Sequence, residues 1–176
     1  MEKEDLQTRL KRVRLLILDV DGVLTDGRII LDDRGRETKF FNARDGSGIK
    51  YLLRSGLQCA FISGRKSAAV LARAGELGVE QCYQDAKDKI IPYEKILQKF
   101  GFKDEEVAFM ADDLTDLPLL RRVGLPVAVA DAAQEVKEAS IYITKRTGGR
   151  GAVRELIELI LKAQGKWEEI LLRYKT

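Results

Sequence analysis

An α/β fold, a Rossmann-like three-layer sandwich around a central parallel sheet, is predicted for this chain by three observations. Strand-like apolar runs alternate with helical patterns along nearly the whole length. Acidic and hydroxyl side chains stand at the ends of those runs, where open parallel sheets bind ligands. The 176 residues, 45% of them hydrophobic, suffice for one domain with a proper core, spanning residues 1–176. Charged residues make up 34% and leave a net charge of only +3, with both signs interspersed, so no nucleic-acid partner is expected. No apolar run approaches the roughly 20 residues of a membrane span. The start, Met1-Glu2-Lys3-Glu4-Asp5, is too acidic for a signal peptide. Cys59 and Cys82, in apolar strand-like contexts, are expected to be buried thiols. Together these describe a soluble, cytoplasmic protein without membrane contact.

Each element follows from periodicity and punctuation. Residues 15–18 are apolar throughout, as in a strand covered on both faces, and run into Asp19-Val20-Asp21-Gly22. A small β-hairpin spans about residues 28–41, its strands at 28–31 and 37–41 around the turn-forming Asp32-Asp33-Arg34-Gly35. Asp45 is expected to cap a helix that turns Ile49, Leu52 and Leu53 inward and stops at Gly56. Residues 57–62 read as a buried strand ending in Ser63-Gly64-Arg65. The next helix presents Val70, Leu71, Ala74 and Leu77 to the core, with Gly78 beyond. A short strand at 80–83 leads to a helix over 89–100, with Ile90, Tyr93, Leu97 and Phe100 at helical spacing and Gly101 as its stop. Residues 107–110 form another buried strand, running into Ala111-Asp112-Asp113-Leu114-Thr115-Asp116, and a helix carries 117–123. Short strands at 126–130 and 141–143 flank a helix near 133–139. The loop Thr147-Gly148-Gly149-Arg150-Gly151 precedes a helix with Val153, Leu156, Ile157 and Ile160 inward. Gly165 breaks it, and an amphipathic tail covers about residues 165–176.

Carboxylates are seldom placed against a buried strand unless they are paired or hold a metal. Residues two apart on extended chain point the same way, so Asp19 and Asp21 can converge on one ligand. A pair of solvated loop acids is the alternative for these two residues taken alone. The second acidic cluster, Asp112, Asp113 and Asp116, and Ser63 fall at the ends of other strands on the same predicted sheet edge, and Lys89 begins the helix leading into the last of them. Such a donor set suits a hard cation such as Mg²⁺ and the phosphate it carries. The chain has no histidine. That excludes Ser-His-Asp and Cys-His catalysis and any His-ligated zinc site, and leaves acid–base work to carboxylates, lysine or tyrosine.

This set resembles the haloacid dehalogenase superfamily of phosphatases over nearly the whole chain. Residues 19–26, Asp-Val-Asp-Gly-Val-Leu-Thr-Asp, look like its first motif, Ser63 its second, Lys89 its third, and Asp112-Asp113 with Asp116 its fourth. Within it, residues 41–49, 63–66, 128–132 and 148–155 are similar to the phosphatases of 3-deoxy-D-manno-octulosonate 8-phosphate, an acidic sugar phosphate of lipopolysaccharide synthesis. One departure is Ala111, where that family has glycine. The resemblance implies that Asp19 attacks phosphorus to form an aspartyl-phosphate and that Asp21 serves as general acid and then base. It implies Mg²⁺ on the Asp19 side chain, the Asp21 carbonyl and Asp112, with Asp113 and Asp116 supporting from nearby. Ser63 and Lys89 would hold the phosphoryl oxygens.

No insertion is long enough for a cap domain; the hairpin stands in its place. The missing walls are therefore expected from neighbouring subunits, and the resemblance implies a homotetramer. Ile29, Ile30, Phe40 and Phe41 either pack between subunits or cover their own core. For the sugar, whose carboxylate needs extra cations, the positions in the matching segments point to Asn42, Arg44, Asp45, Lys50, Arg65 and Arg73. Arg150 either reaches a neighbour's site or is a surface arginine. The competing readings are a phosphatase of a nine-carbon acidic sugar 9-phosphate, a non-catalytic binding relative, and a phosphomutase; the last is disfavoured without a cap to exclude water.

Overall fold

The computed structural model describes residues 5–175. The acidic start read at residues 1–5 lies, but for Asp5, outside the described residues. A helix not anticipated from the sequence, α1 (Leu6–Arg12), comes first; Asp5 caps it by accepting from the Thr8 N–H at 2.7 Å. Then follow β1 (Leu15–Leu18), the ribbon β2 (Ile30–Leu31) and β3 (Glu37–Thr38), α2 (Ala43–Arg54), β4 (Gln58–Ile62), α3 (Ala68–Leu77), β5 (Gln81–Tyr83), α4 (Ile90–Phe100), β6 (Val107–Ala111), α5 (Leu117–Leu120), β7 (Leu125–Ala128), α6 (Gln134–Glu138), β8 (Tyr142–Ile143), α7 (Ala152–Ala163) and α8 (Trp167–Leu172).

The main sheet has the order β5-β4-β1-β6-β7-β8 and every neighbouring pair is parallel. All four residues of β1 are buried, as a strand covered by helices on both faces requires. Right-handed crossovers place α2 and α3, which lead from β1 out to β5, on one face. The helices leading the other way, α4, α5 and α6, lie on the opposite face, and α7 returns to pack against α2. β1 is therefore where the order of strands reverses, and its carboxyl end opens on a crevice between β4 and β6.

Several expectations are corrected. The hairpin pairs only Ile30 with Thr38 and Leu31 with Glu37. Leu71 is 60% exposed while Val70, Ala74 and Leu77 are buried; the buried three follow i, i+4, i+7, and Leu71 falls beside that stripe. The helix expected over 117–123 ends at Leu120. Asn42, not Asp45, caps α2, its side chain accepting from the N–H groups of Arg44 and Asp45. Asp45 caps a different helix: its oxygens accept from Gly151 N–H at 3.1 Å and Arg154 N–H at 2.8 Å, at the start of α7. Burial pushes its carboxyl above the usual range, against the pull of those two hydrogen bonds. Cys59 is a buried free thiol, whereas Cys82 is only half-buried.

Candidate active site

The loop after β1 is built to reverse direction without a side chain in the way. Asp19 extends the pairing with β6 by donating its N–H to the Met110 carbonyl at 3.2 Å. The turn Val20–Leu24 then curls back, and Thr25 ties it: its hydroxyl accepts from the N–H groups of Gly22 and Gly27 and donates to the Val20 carbonyl. Gly22 sits at φ +95°, and a Cβ there would lie 2.0 Å from an Asp112 oxygen. Only glycine allows the backbone this close to the second acidic cluster.

Carboxylate oxygens of Asp19, Asp112 and Asp116 lie within 4.8 Å of one another. The Lys89 ammonium, at the start of α4, bonds Asp19 and lies against Asp116. Lys89, Asp19 and Asp116 are all buried. Burial pushes Asp19 up to about 6, with Asp116 adding to the rise and Lys89 opposing it. Asp112 is pushed up to about 8, by burial first and then by the charges of Asp19, Asp116 and Asp113. Asp116 is raised by burial, which Lys89 opposes. Lys89 is held above its usual value, since Asp19 and Asp116 outweigh its burial. One lysine does not balance three converging carboxylates. Hard oxygen donors with surplus negative charge fit a divalent cation such as Mg²⁺.

These groups open on a cavity of about 470 Å³, lined by Asp19, Asp21, Gly64, Arg65, Lys87, Lys89, Asp112, Asp113 and Thr115 among others. The structure thus brings Asp19, Asp21, Lys89, Asp112 and Arg65 to one cavity. Extended spacing predicted that Asp19 and Asp21 converge on one ligand; both line this cavity, but Asp21 stands outside the carboxylate cluster. The chain turns immediately after Asp19, and the Asp21 side chain instead meets Lys39 and Arg65. Asp113 turns its oxygen back to the Leu114 N–H at 2.8 Å. Asp116 stands within the cluster itself. Ser63 is buried at the end of β4, its hydroxyl accepting from Arg65 N–H at 3.2 Å; the cavity wall there is Gly64 and Arg65.

Of the residues expected to bind sugar, only Arg65 lines this cavity. Asn42, Arg44, Asp45 and Lys50 belong to α2 or its cap. Arg73, on α3, pairs with Glu76 at 2.7 Å and lies over the Phe41 ring. Arg150 is exposed, with its guanidinium 3.7 Å from Asp26. Sequence reasoning missed Lys39, Lys87 and Thr115. Lys39 was the most readable of them, because it shares a face of the extended ribbon with Glu37, two residues earlier.

The matched family model, haloacid dehalogenase-like hydrolase, covers residues 81–157. The 3-deoxy-D-manno-octulosonate 8-phosphate phosphatase KdsC of Escherichia coli (strain B / BL21-DE3) is 46% identical over 94% of this chain and 88% of its own. The phosphatase of that name from Yersinia pestis superposes with a TM-score of 0.92 at 45% identity, over 94% of this chain and 89% of its own. The Moraxella catarrhalis phosphatase of that name, solved with magnesium ion, phosphate ion and KDO, gives 0.93 at 40% identity, over 96% and 97%. With identity of this extent over nearly the full length, and the same sheet carrying the acidic cluster at its carboxyl edge, the chain belongs to the 3-deoxy-D-manno-octulosonate 8-phosphate phosphatase family of haloacid dehalogenase-like hydrolases.

Proposed function

We propose that this protein is a Mg²⁺-dependent phosphatase that hydrolyses 3-deoxy-D-manno-octulosonate 8-phosphate to the free sugar acid and phosphate, a step of lipopolysaccharide synthesis. The observation that carries the reading is the Asp19–Lys89–Asp112–Asp116 cluster at the sheet's reversal point, with Asp21 standing apart from it on the same cavity wall. The division gives two aspartates two tasks. Asp19, held by Lys89, is the nucleophile: its free oxygen attacks phosphorus, and the sugar oxygen leaves. Asp21, outside the cluster, gives that oxygen its proton and afterwards takes one from the water that cleaves the aspartyl-phosphate. Mg²⁺ would be held by Asp19, Asp112 and the Asp21 carbonyl, with Asp116 close by, and supplies charge neutralisation for the phosphoryl group. Lys89 adds a fixed positive charge where negative charge is transferred.

Arg65 lines the cavity and is half exposed, which supports it as the cation that meets the sugar's carboxylate. Ile29, Leu31 and Phe40 of the ribbon are 45%, 58% and 64% exposed, while Phe41 packs on the core. Such a patch beside an uncapped site supports assembly into a homotetramer whose neighbours complete the sugar pocket. Free thiols at Cys59 and Cys82 and a phosphorylated substrate suit the reducing cytoplasm.

The experiment is phosphate release with Mg²⁺, comparing this eight-carbon substrate with a nine-carbon acidic sugar 9-phosphate. The eight-carbon substrate is expected to have the higher kcat/KM, by about tenfold or more. Preference for the nine-carbon substrate would reassign the sugar, and no release from either would remove the activity.

A further inference from the structure

The Lys39 side chain is 1% exposed although its backbone lies one residue beyond β3 on an open ribbon. A buried ammonium is costly unless it is paired. Here two carboxylates pair it: Lys39 donates to Asp21 Oδ1 and to Glu37 Oε1, the latter at 3.1 Å. Arg65 donates to the same Glu37 oxygen at 3.0 Å, and its Nε lies 3.8 Å from Asp21 Oδ2. Asp21, Lys39, Glu37 and Arg65 thus close a ring of alternating charge at the cavity mouth. Asp21 and Arg65 line the cavity, whereas Lys39 and Glu37 stand behind them. Burial alone would raise the Glu37 carboxyl, but Lys39, Arg65 and the Ser67 hydroxyl bring it below its usual range, so it remains an anion able to anchor the lysine.

We propose that Lys39, anchored by Glu37, is a positioning residue that holds one oxygen of Asp21 and leaves the other turned to the leaving group. This deepens the function above and rests on Asp21 being its proton donor. A carboxylate rotates freely about its last bond unless an oxygen is fixed. Lys39 fixes Oδ1, and Oδ2, beyond hydrogen-bond distance of Arg65, is the oxygen left to carry the proton. The ribbon is then a brace for acid–base chemistry as well as a surface. Lys39 itself does not touch the substrate, because it does not line the cavity.

Lys39→Met keeps the stem and removes the ammonium. Its kcat on the sugar phosphate is expected to fall about 10²-fold, the loss that follows from a misplaced proton donor. Mg²⁺ affinity, by titration calorimetry, should stay within about threefold, since the carboxylate cluster is untouched. With p-nitrophenyl phosphate, whose leaving group needs no proton, a stoichiometric burst of nitrophenolate should persist at near wild-type rate, followed by slow turnover. Attack by Asp19 is then intact while activation of water is not. A merely structural lysine would depress burst and turnover together. Unchanged sugar-phosphate kcat, or loss of the burst in a folded, Mg²⁺-binding variant, overturns the proposal. Glu37→Gln loosens the anchor and should show the same pattern at about tenfold; if Lys39→Met does not fold, this variant decides by the same outcomes. Asp21→Asn separates the two levels. If it retains sugar-phosphate turnover, the acid–base assignment fails and the brace with it. If it is inactive while Lys39→Met behaves as wild type, the brace alone fails.

Discussion

Asp19 and Asp112 sit where little water can screen a charge, and their behaviour should reflect that. Asp19→Asn removes the attacking oxygen's charge and a metal ligand at once. Turnover should fall by about 10³-fold or more with the fold retained, because the residue sits at the strand end rather than in the apolar core; more than a tenth of wild-type turnover would refute the assignment. Proton competition provides a second check. Asp112, pushed up to about 8, holds a proton at neutral pH in the metal-free protein, and Asp19, pushed up to about 6, takes one up as the pH falls further. Mg²⁺ takes the ionised carboxylates, so its binding must displace those protons. The sign follows: apparent Mg²⁺ affinity weakens as pH falls below about 8, by up to about tenfold per pH unit for each proton displaced. Calorimetry in buffers of different ionisation enthalpy measures both the affinity and the release. Equal affinity at about pH 6 and about pH 8, without release, would contradict the raised values.

The catalytic loop and α7 are joined by contacts that leave no spare room. Gly149 donates its N–H to the Val23 carbonyl at 2.8 Å, and Gly148 donates to Asp131 at 2.9 Å. A Cβ on Gly148 would lie 1.7 Å from the Gly22 carbonyl oxygen. That oxygen is backbone, so it cannot swing aside as a flexible side chain can. Gly148→Ala should therefore push the Asp19–Asp21 turn out of place, lowering turnover about 10²-fold and stability by about 2 kcal/mol; assay and thermal unfolding together check it, and a variant like wild type in both would show that the loops are independent. Asp45 makes the other link, from inside α2 to the start of α7. Asp45→Ala leaves two N–H groups without partners and should cost about 1–3 kcal/mol in denaturant unfolding, with the slope of the transition unchanged. A loss below about 0.5 kcal/mol would mean that water replaces the cap.

Across the whole molecule, the parallel sheet puts the chemistry at one edge, and the lack of a cap leaves that edge open. The ribbon exposes Ile29, Leu31 and Phe40 within one short segment, and Leu114, between Asp113 and Thr115, is exposed as well. Leu31→Glu with Phe40→Glu should leave the protomer folded, since both side chains already face solvent, yet dissociate an assembly that buries them. Light scattering reads the mass, and sugar-phosphate kcat/KM should fall with it while aryl phosphate hydrolysis is partly kept. A wild-type monomer at micromolar concentration with full activity would refute the argument that neighbours complete the site.

From β1 onward, the sequence by itself determined the order of strands and helices, and it determined the residues of the acidic cluster. Both are local properties: apolar periodicity marks an element, and a carboxylate at the end of a buried run stands out within a few positions. Asp19, Asp112, Asp116 and Lys89 were legible for that reason. Side-chain direction at the ends of elements was not. Asp21 left the cluster because the chain turns after Asp19, and Asp113 faced its own loop. Asp45 looked like the cap of its own helix but serves one more than a hundred residues away. Leu71 looked inward in a pattern whose stripe misses it by one position. Lys39 was given no role within the hairpin until the fold set Asp21 and Glu37 around it. For Asp21 and Lys39, and for Asp45 and the start of α7, the partners are distant in sequence, and only packing of α7, the ribbon and the turn after β1 brings them within hydrogen-bond reach.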